Sequence, residues 1–91
     1  MTIQIRYAAS VFTQAGWRSV IITANAVPNK TGKMARVTEV TAIDGQTPTT
    51  GMSRTGAKRQ AYNGKSIAAR EVGANKRISA CEIIEDEREA A

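Results

Sequence analysis

Strand-type patterning fills the first half of this chain and constrains its fold more than any other feature of the sequence. Ile3, Ile5 and Tyr7 alternate with polar residues over positions 2–7, which is typical of a half-buried strand. The runs 18–25 and Met34–Ile43 are rich in β-branched residues, which favour strands. The sequence therefore predicts three consecutive strands before any helix.

The residues between these runs predict how the strands pair. Positions 14–16 read Gln-Ala-Gly and are expected to form a turn, and positions 28–33 read Pro-Asn-Lys-Thr-Gly-Lys, which is typical loop chemistry. The third run should then return as the hairpin partner of the second. Val37, Val40 and Ile43 do not alternate strictly, which predicts a β-bulge near residues 38–39.

The second half of the chain predicts one helix and one further strand. Residues 44–51 form a polar linker, and Thr50 or Ser53 is the expected N-cap. Helical periodicity from residue 54 to about 75 places small side chains on one arc: Ala57, Ala61, Gly64, Ala68 and Val72. Asn63-Gly64 is the weak point, and the alternative is a kink or restart there with Ser66 as the new cap.

These elements predict a single small domain. Residues 78–85 read as a last strand, and residues 86–91 read as an acidic flexible tail that follows a domain of residues 1–85. A chain of 91 residues buries enough surface for one modest core. The expected fold is α+β: a small antiparallel sheet in the order β-β-β-α-β, with one basic helix packed on one face.

Charge is unevenly distributed along the chain. Residues 1–81 contain 12 bases and 3 acids, net +9, whereas residues 82–91 contain 1 base and 5 acids, net −4. Seven of the 13 basic residues fall between Arg54 and Arg77, interrupted by one acid, Glu71. A concentrated cationic field attracts polyanions and speeds their association. The sequence predicts a binding protein with a nucleic-acid or nucleoprotein partner.

The predicted contact surface is the outward face of the basic helix. Arg59, Arg70 and Arg77 project the same way in a helical projection, and guanidinium groups suit phosphate recognition. The alternative is an ordinary solvated helix face. The full set of expected partner-binding residues adds a second row on the helix and the hairpin loop: Arg54, Lys58, Arg59, Lys65, Arg70, Lys76, Arg77, Lys30 and Lys33, with Arg36 as an extension of the loop.

Aromatic residues are few, which disfavours base stacking on the sheet. A sheet that recognises RNA shows two or three exposed aromatic side chains, and here Tyr7 is expected to stand nearly alone. Tyr62 is expected either to pack in the core or to stack on a base. Trp17 is expected either to anchor the hairpin or to contact a partner.

The composition gives catalysis little support. The chain has no histidine and one cysteine, Cys81, which excludes the usual zinc sites and Cys–His nucleophiles. We expect no enzyme activity, no cofactor, no metal and no small-molecule substrate, with Cys81 as a small buried apolar residue. No apolar run is long enough to span a membrane and no secretory leader is visible, so a cytoplasmic location without membrane association is expected.

With these features in place, the chain resembles the small phage-encoded anti-CRISPR proteins, most closely those that act on type I-F surveillance complexes. The resemblance is carried by the length, the strand segments 2–7, 18–25 and Met34–Ile43, the basic stretch 54–65 and the closing strand 78–84. It implies inhibition by binding in the host bacterial cell. The inhibitor would dock on the crRNA or Cas subunits and block target DNA hybridisation or a required conformational change.

One property departs from that family and leaves alternatives open. Several members are acidic DNA mimics, whereas this chain has a net charge of +5, which points to contact with crRNA or an acidic protein surface. The alternatives are a small DNA-binding regulator or architectural protein and an RNA-binding accessory protein. One predicted helix gives no helix-turn-helix, which weakens the case for sequence reading in the major groove.

Overall fold

Three long strands form the centre of an antiparallel sheet in the computed structural model, which describes residues 2–13, 16–53 and 61–86. In chain order the elements are β1 (Ile3–Thr13), β2 (Gly16–Pro28), β3 (Met34–Ile43), β4 (Met52–Ser53), β5 (Ala61–Tyr62), α1 (Gly64–Glu71), β6 (Asn75–Arg77), a 3₁₀ turn (Ile78–Ala80) and β7 (Glu82–Asp86). The five-stranded sheet has the order β6-β3-β2-β1-β7, and β4 and β5 form a separate two-stranded sheet. The predicted α+β fold with an antiparallel sheet and one helix is confirmed.

The β1–β2 hairpin is longer than predicted at both strands. Tyr7 was the expected end of the first strand, but the inward alternation continues to Val11, which is buried, and β1 ends at Thr13. The second strand, predicted over 18–25, covers Gly16–Pro28. Thr13 pairs with Gly16, and residues 14–15 of the predicted turn lie outside the described ranges.

The β2–β3 hairpin forms as predicted and contains two bulges. Strand pairing runs from Pro28 opposite Ala35 to Ile22 opposite Ile43, with register shifts that leave Thr38 and Thr41 without a partner residue in β2. The Oγ1 of each threonine donates a 3.2 Å hydrogen bond to a carbonyl of β2. The predicted bulge at residues 38–39 is confirmed, and the second one restores the inward direction of Ile43.

Within the described residues, the predicted helix over 54–75 is shorter than expected, because residues 61–62 and 75 belong to strands; its first part, residues 54–60, lies outside the described ranges. The helix begins at Gly64, and the side-chain Oδ1 of Asn63 caps it by accepting the backbone N–H of Ser66 at 2.9 Å. Gly73 has φ 91°, a conformation that side chains disfavour, and the helix ends just before it. The restart at Asn63-Gly64 is therefore correct, whereas Thr50, Ser53 and Ser66 as N-caps were wrong.

The segments on either side of the helix are strands. Ala61 and Tyr62 pair with Ser53 and Met52, and Asn75–Arg77 pairs with β3. The predicted last strand over 78–85 is a 3₁₀ turn followed by β7. Asp86, expected to start the tail, is the last residue of β7, and residues 87–91 lie outside the described ranges.

The core lies between one face of the sheet and a cover made by the later elements. The inward side chains of β1, β2 and β3 are buried, and Met52, Tyr62, Ile67 and Ile78 pack over them in the same cluster. The expected arc of small residues is only partly correct: Gly64 is buried, Ala68 is half-buried, Val72 is exposed and Ala57 lies outside the described residues. On the opposite face of the β1–β2 hairpin, side chains are exposed from Arg6 to Phe12 and from Trp17 to Ile21, and half-buried at Gln4 and from Thr23 to Val27.

Candidate nucleic-acid interface

The predicted basic residues do not form one helical face. Arg54, Lys58 and Arg59 lie outside the described residues. Lys65 and Arg70 are exposed on α1, whereas Lys76 and Arg77 belong to β6. Lys30 and Lys33 are exposed in the β2–β3 loop. Gly73 is the physical reason for this difference, because it ends the helix and turns the chain into a strand beside β3.

The fold instead brings the hairpin loop and β6 together around one open groove, here called the cationic groove. Its volume is about 750 Å³ and its lining is Thr31, Gly32, Lys33, Met34, Arg77, Ile78 and Ser79. Met34 pairs with Arg77 across the β3–β6 ladder, and the backbone N–H of Ile78 donates to the carbonyl of Lys33 at 2.9 Å. Backbone hydrogen bonds therefore fix Lys33 beside Arg77.

The charge of the cationic groove is uncompensated along its lining, which contains no carboxylate. Lys30 is exposed in the same loop, and Arg36 is exposed on β3 opposite Asn75 of β6. Within the described ranges, ion pairs join Arg6 to Glu82 and Lys76 to Glu71, and neither pair involves a groove residue. The predicted residues Lys30, Lys33 and Arg77, with Arg36, thus gather at one end of the sheet.

Lys76 has a different environment from its neighbour Arg77. Its Nζ lies 3.4 Å from Glu71 Oε1 and 4.6 Å from the centroid of the Tyr7 ring. The Tyr7 hydroxyl donates a 2.6 Å hydrogen bond to the same Glu71 oxygen. Burial, and then the bond to Glu71, raise the pKa of Tyr7 well above its usual range. These contacts join β1, α1 and β6, so Lys76 has a structural role in holding the three elements together.

The cysteine is poorly suited to nucleophilic chemistry. Burial raises the pKa of the Cys81 thiol, and the nearby positive charge of Lys76 offsets this only in part. The thiol donates a 3.4 Å hydrogen bond to the carbonyl of Arg77. In the part of the chain that the structure describes, no three His, Cys, Asp or Glu side chains are grouped so as to hold a metal ion.

The aromatic residues are placed differently from the prediction. Tyr7 is buried with Ile3 and Ile5, as their alternation predicted, and is therefore not available on the open face for base stacking; Tyr62 is also buried, as its core alternative predicted. Phe12 and Trp17 are opposite one another in the β1–β2 hairpin, with ring centroids 5.5 Å apart and an interplanar angle of 69°. Their exposed fractions are 69% and 72%, and Ile21 on the same face is 41% exposed.

Sequence reasoning missed this pair, although the signal was present. If the alternation of Ile3, Ile5 and Tyr7 is carried on through Ala9 to Val11, Phe12 must point to the opposite face. The pairing of Thr13 with Gly16 then sets Trp17 directly across from Phe12. Because the predicted first strand ended at Tyr7, neither the outward direction of Phe12 nor its pairing with Trp17 was predicted.

Comparison with known proteins does not assign this chain to a family. No protein-family model, curated protein or solved structure matches this chain. Among the described residues, no helix has both the length and the apolar character needed to cross a membrane.

Proposed function

We propose that this chain is a non-enzymatic binding protein whose partner is a nucleic acid or a nucleoprotein, and that the cationic groove is a contact surface for it. One observation carries the proposal. Lys33 and Arg77, from distant parts of the chain, line one open groove that contains no carboxylate.

The chemistry of the groove fits a phosphate backbone. The guanidinium of Arg77 offers a planar set of donors that matches phosphate oxygens, and Lys33 adds a compact charge beside it. Lys30 and Arg36 extend the positive surface along the loop and β3. A polymer with regularly spaced negative charges can contact several of these groups at once, which a small anion cannot do.

The resemblance to anti-CRISPR proteins supports one particular nucleoprotein. In this narrower proposal the chain inhibits a type I-F surveillance complex in the cytoplasm of the host bacterium by binding crRNA or Cas subunits and blocking target DNA recognition. The net charge of +5 suits crRNA or an acidic Cas surface as the contact. The alternative partners are duplex DNA, for a regulator, and free RNA, for an accessory protein.

Charge reversal in the cationic groove tests the contact surface. The double variant Lys33→Glu, Arg77→Glu should lose more than about tenfold in affinity, because two repulsions replace two attractions. Lys65→Glu is the control for the single reversals Lys33→Glu and Arg77→Glu, because it changes the net charge equally at an exposed position of α1 that lies outside the groove lining and that only the sequence had placed in the contact surface. For the single variants to Ala with a single-stranded ligand, the log–log salt slope should become shallower by about 0.7 for each phosphate that the protein no longer neutralises.

Four ligands separate the candidate partners: duplex DNA, single-stranded DNA, single-stranded RNA and a crRNA-loaded type I-F complex. Tight binding to the assembled complex alone supports inhibition, and duplex binding without the complex supports a regulator. If none of the four binds, or if the control variant weakens binding as much as the groove variant does, the proposed function is wrong.

A further inference from the structure

One edge of the β1–β2 hairpin is open along its outer half. In the described ranges, β7 pairs with β1 only at residues 3–6. The segment of residues 8–12, here called the open edge, pairs with β2 on one side and with no described strand on the other. An edge of this kind presents backbone groups that can pair with a further strand.

The direction of these backbone groups follows from the neighbouring hydrogen bonds. Ile21 lies opposite Ala8 and uses both of its backbone groups on the side of β2 away from β1. Its N–H donates to Asp44 Oδ1 at 2.9 Å, and its carbonyl accepts the N–H of Asp44 at 2.7 Å. Ala8 and Ile21 are therefore a non-hydrogen-bonded pair of the ladder. Alternation along β1 then points the N–H and C=O of Ala8, Ser10 and Phe12 outward, and no backbone hydrogen bond within the described ranges reaches them.

The open edge lacks the features by which sheets usually prevent such pairing. Its sequence, Ala-Ala-Ser-Val-Phe, contains no charge and no proline, and the β1–β2 ladder passes it without a register shift. The two outer strands of the five-stranded sheet are protected by contrast. β6 is three residues long and carries Lys76 and Arg77, whereas β7 carries Glu82 and pairs through a register shift. The open edge therefore favours the addition of a strand more than either outer strand does.

A second copy of the same segment is the partner that fits this edge. A neutral edge offers no attraction to a charged peptide, whereas two identical neutral segments meet without local repulsion. If Ser10 of each copy lies opposite Phe12 of the other, antiparallel pairing with two-fold symmetry gives two hydrogen-bonded pairs, with two bonds in each. In this register Thr13 of the second copy reaches only as far as Ala9, short of Arg6, where β7 begins to cover β1.

We propose that the open edge is a self-association site, at which two copies of the chain join their sheets by antiparallel pairing of β1 with β1. The contact lies at the end of the hairpin away from the β2–β3 loop, so each copy keeps its cationic groove open. This inference goes beyond the proposed function, because the pairing needs no nucleic acid.

Hydrogen exchange of the native protein tests the pairing directly. At high protein concentration the amides of Ser10 and Phe12 should be protected, and dilution below the dissociation constant of the dimer should remove this protection. Ala9 and Val11 are the internal control, because their N–H groups face β2 and stay protected in both conditions. Sedimentation at the same two concentrations should show twice the mass of one chain and then the mass of one chain.

Two substitutions at Ser10 test the edge in different ways. Ser10→Pro removes an outward N–H that the separate chain does not use, and an edge strand tolerates proline at such a position. This variant should keep the native circular dichroism spectrum and remain a monomer at every concentration. Ser10→Lys keeps the N–H but places a positive charge on each copy, so the dissociation constant of the dimer should rise more than about threefold.

Thr47→Lys is the control for Ser10→Lys, because it adds the same charge at an exposed loop position outside the hairpin. Its dimer dissociation constant should stay within about twofold of the native value. If Ser10→Pro does not fold, Ser10→Lys and the exchange measurement still decide the proposal.

Three results would overturn the self-association site. The first is a native chain that sediments as a monomer at every concentration. The second is a dimer in which the amides of Ser10 and Phe12 exchange as fast as they do in the monomer, since another surface then holds the copies together. The third is protection of these amides in the monomer itself, since the chain then covers its own edge. None of these results bears on the cationic groove, which the nucleic-acid assays test separately.

Discussion

Gly64, at the start of α1, packs tightly against the segment of residues 49–52. A Cβ atom placed there would overlap the Met52 side chain and lie 2.9 Å from the carbonyl oxygen of Thr49. That oxygen accepts the backbone N–H of Gly64 at 2.7 Å. The methionine side chain can move aside, but the Thr49 carbonyl is held in place by the backbone N–H groups of Gly64 and Lys65.

Gly64→Ala should therefore lower the free energy of unfolding by about 1–3 kcal/mol, even though alanine favours a helix by about 1 kcal/mol over glycine. Thermal denaturation measures this loss, and the melting temperature should fall by about 4–8 °C for each kcal/mol in a chain of this size. Gly51→Ala is the control, since no atom lies within 4 Å of its added Cβ. Equal melting temperatures for the two variants would contradict the close packing.

Tyr7 makes stability depend on pH in the alkaline range. Its pKa in the folded state is raised by burial and by the bond to Glu71, above the value of about 10 in an unfolded chain. The unfolded state then loses the phenol proton first, so the contribution of Tyr7 is complete below about pH 10 and falls as the pH rises further.

Urea unfolding of the native protein and of Tyr7→Phe at pH 8 and pH 11 tests this sign. At pH 8 the variant should be less stable, because it lacks the bond to Glu71. Between the two pH values the native protein should lose more stability than the variant, by at most about 1.4 kcal/mol per pH unit. Parallel pH profiles would show that Tyr7 is not the responsible group.

At the scale of elements, Gly73 decides where the helix stops and where β6 begins. Its N–H donates to the carbonyl of Val37 at 2.8 Å, and the N–H of Val37 donates to the carbonyl of Ala74 at 2.9 Å. These two bonds require the positive φ of Gly73, and no atom lies within 4 Å of an added Cβ. The cost of a side chain there is therefore conformational rather than steric.

Gly73→Ala should destabilise the protein by about 1–2 kcal/mol, the cost of a left-handed conformation in a residue with a Cβ. Gly73→Asn should cost less, because asparagine tolerates this region better. Hydrogen exchange at the Val37 amide gives a local measurement, and it should accelerate more in the alanine variant. An alanine variant as stable as the native protein would mean that α1 can end in another way.

The strands could be predicted from the sequence better than the helix, for a physical reason. The predicted strand Met34–Ile43 has the correct bounds, and its bulge was predicted from the break in alternation. Both are readable because burial of one sheet face requires an apolar residue at every second position. The spacing of Ala61, Gly64, Ala68 and Val72 is equally regular, but small residues fit strands and turns as well. The Asn63 cap fixes where the helix begins, and the backbone conformation of Gly73 fixes where it ends. Hydrophobic periodicity gives no information about either position.

For the candidate site, charge was predictable and its grouping was not. Lys30, Lys33 and Arg77 were expected among the contact residues, yet Arg77 was placed on a helix, away from the loop. Their meeting depends on the pairing of β3 with β6, a contact distant in the chain that no local pattern specifies. The exposure of Phe12 and Trp17 depended on the length of β1 and followed once that length was known.

At the scale of the whole molecule, the sheet separates the two signs of charge. Arg77 is on β6 at one edge, and Glu82, Glu85 and Asp86 are on β7 at the opposite edge. The β7 edge therefore repels a polyanion while the cationic groove attracts it. Such a field orients an approaching nucleic acid before contact, and added salt weakens the effect.

Two truncations test how much of this acidic end belongs to the fold. A chain that stops after Asp86 keeps β7 and its pairing of Asp86 with Ile3, so its melting temperature should stay within about 2 °C of the native value. A chain that stops after Cys81 loses β7 and uncovers the edge of β1. It should melt more than about 5 °C lower and tend to aggregate. Equal melting temperatures of the two chains would show that β7 does not contribute to thermal stability.

The two bulges of β3 make the strand unusually tolerant of a change in its length. In a regular strand, loss of one residue turns all the following side chains to the other face. In β3, Thr38 and Thr41 have no partner residue, so removal of Thr38 leaves Val37 inward, Glu39 outward and Val40 inward. A one-residue deletion there should leave a folded protein, whereas the same deletion within β2 would turn buried side chains to solvent.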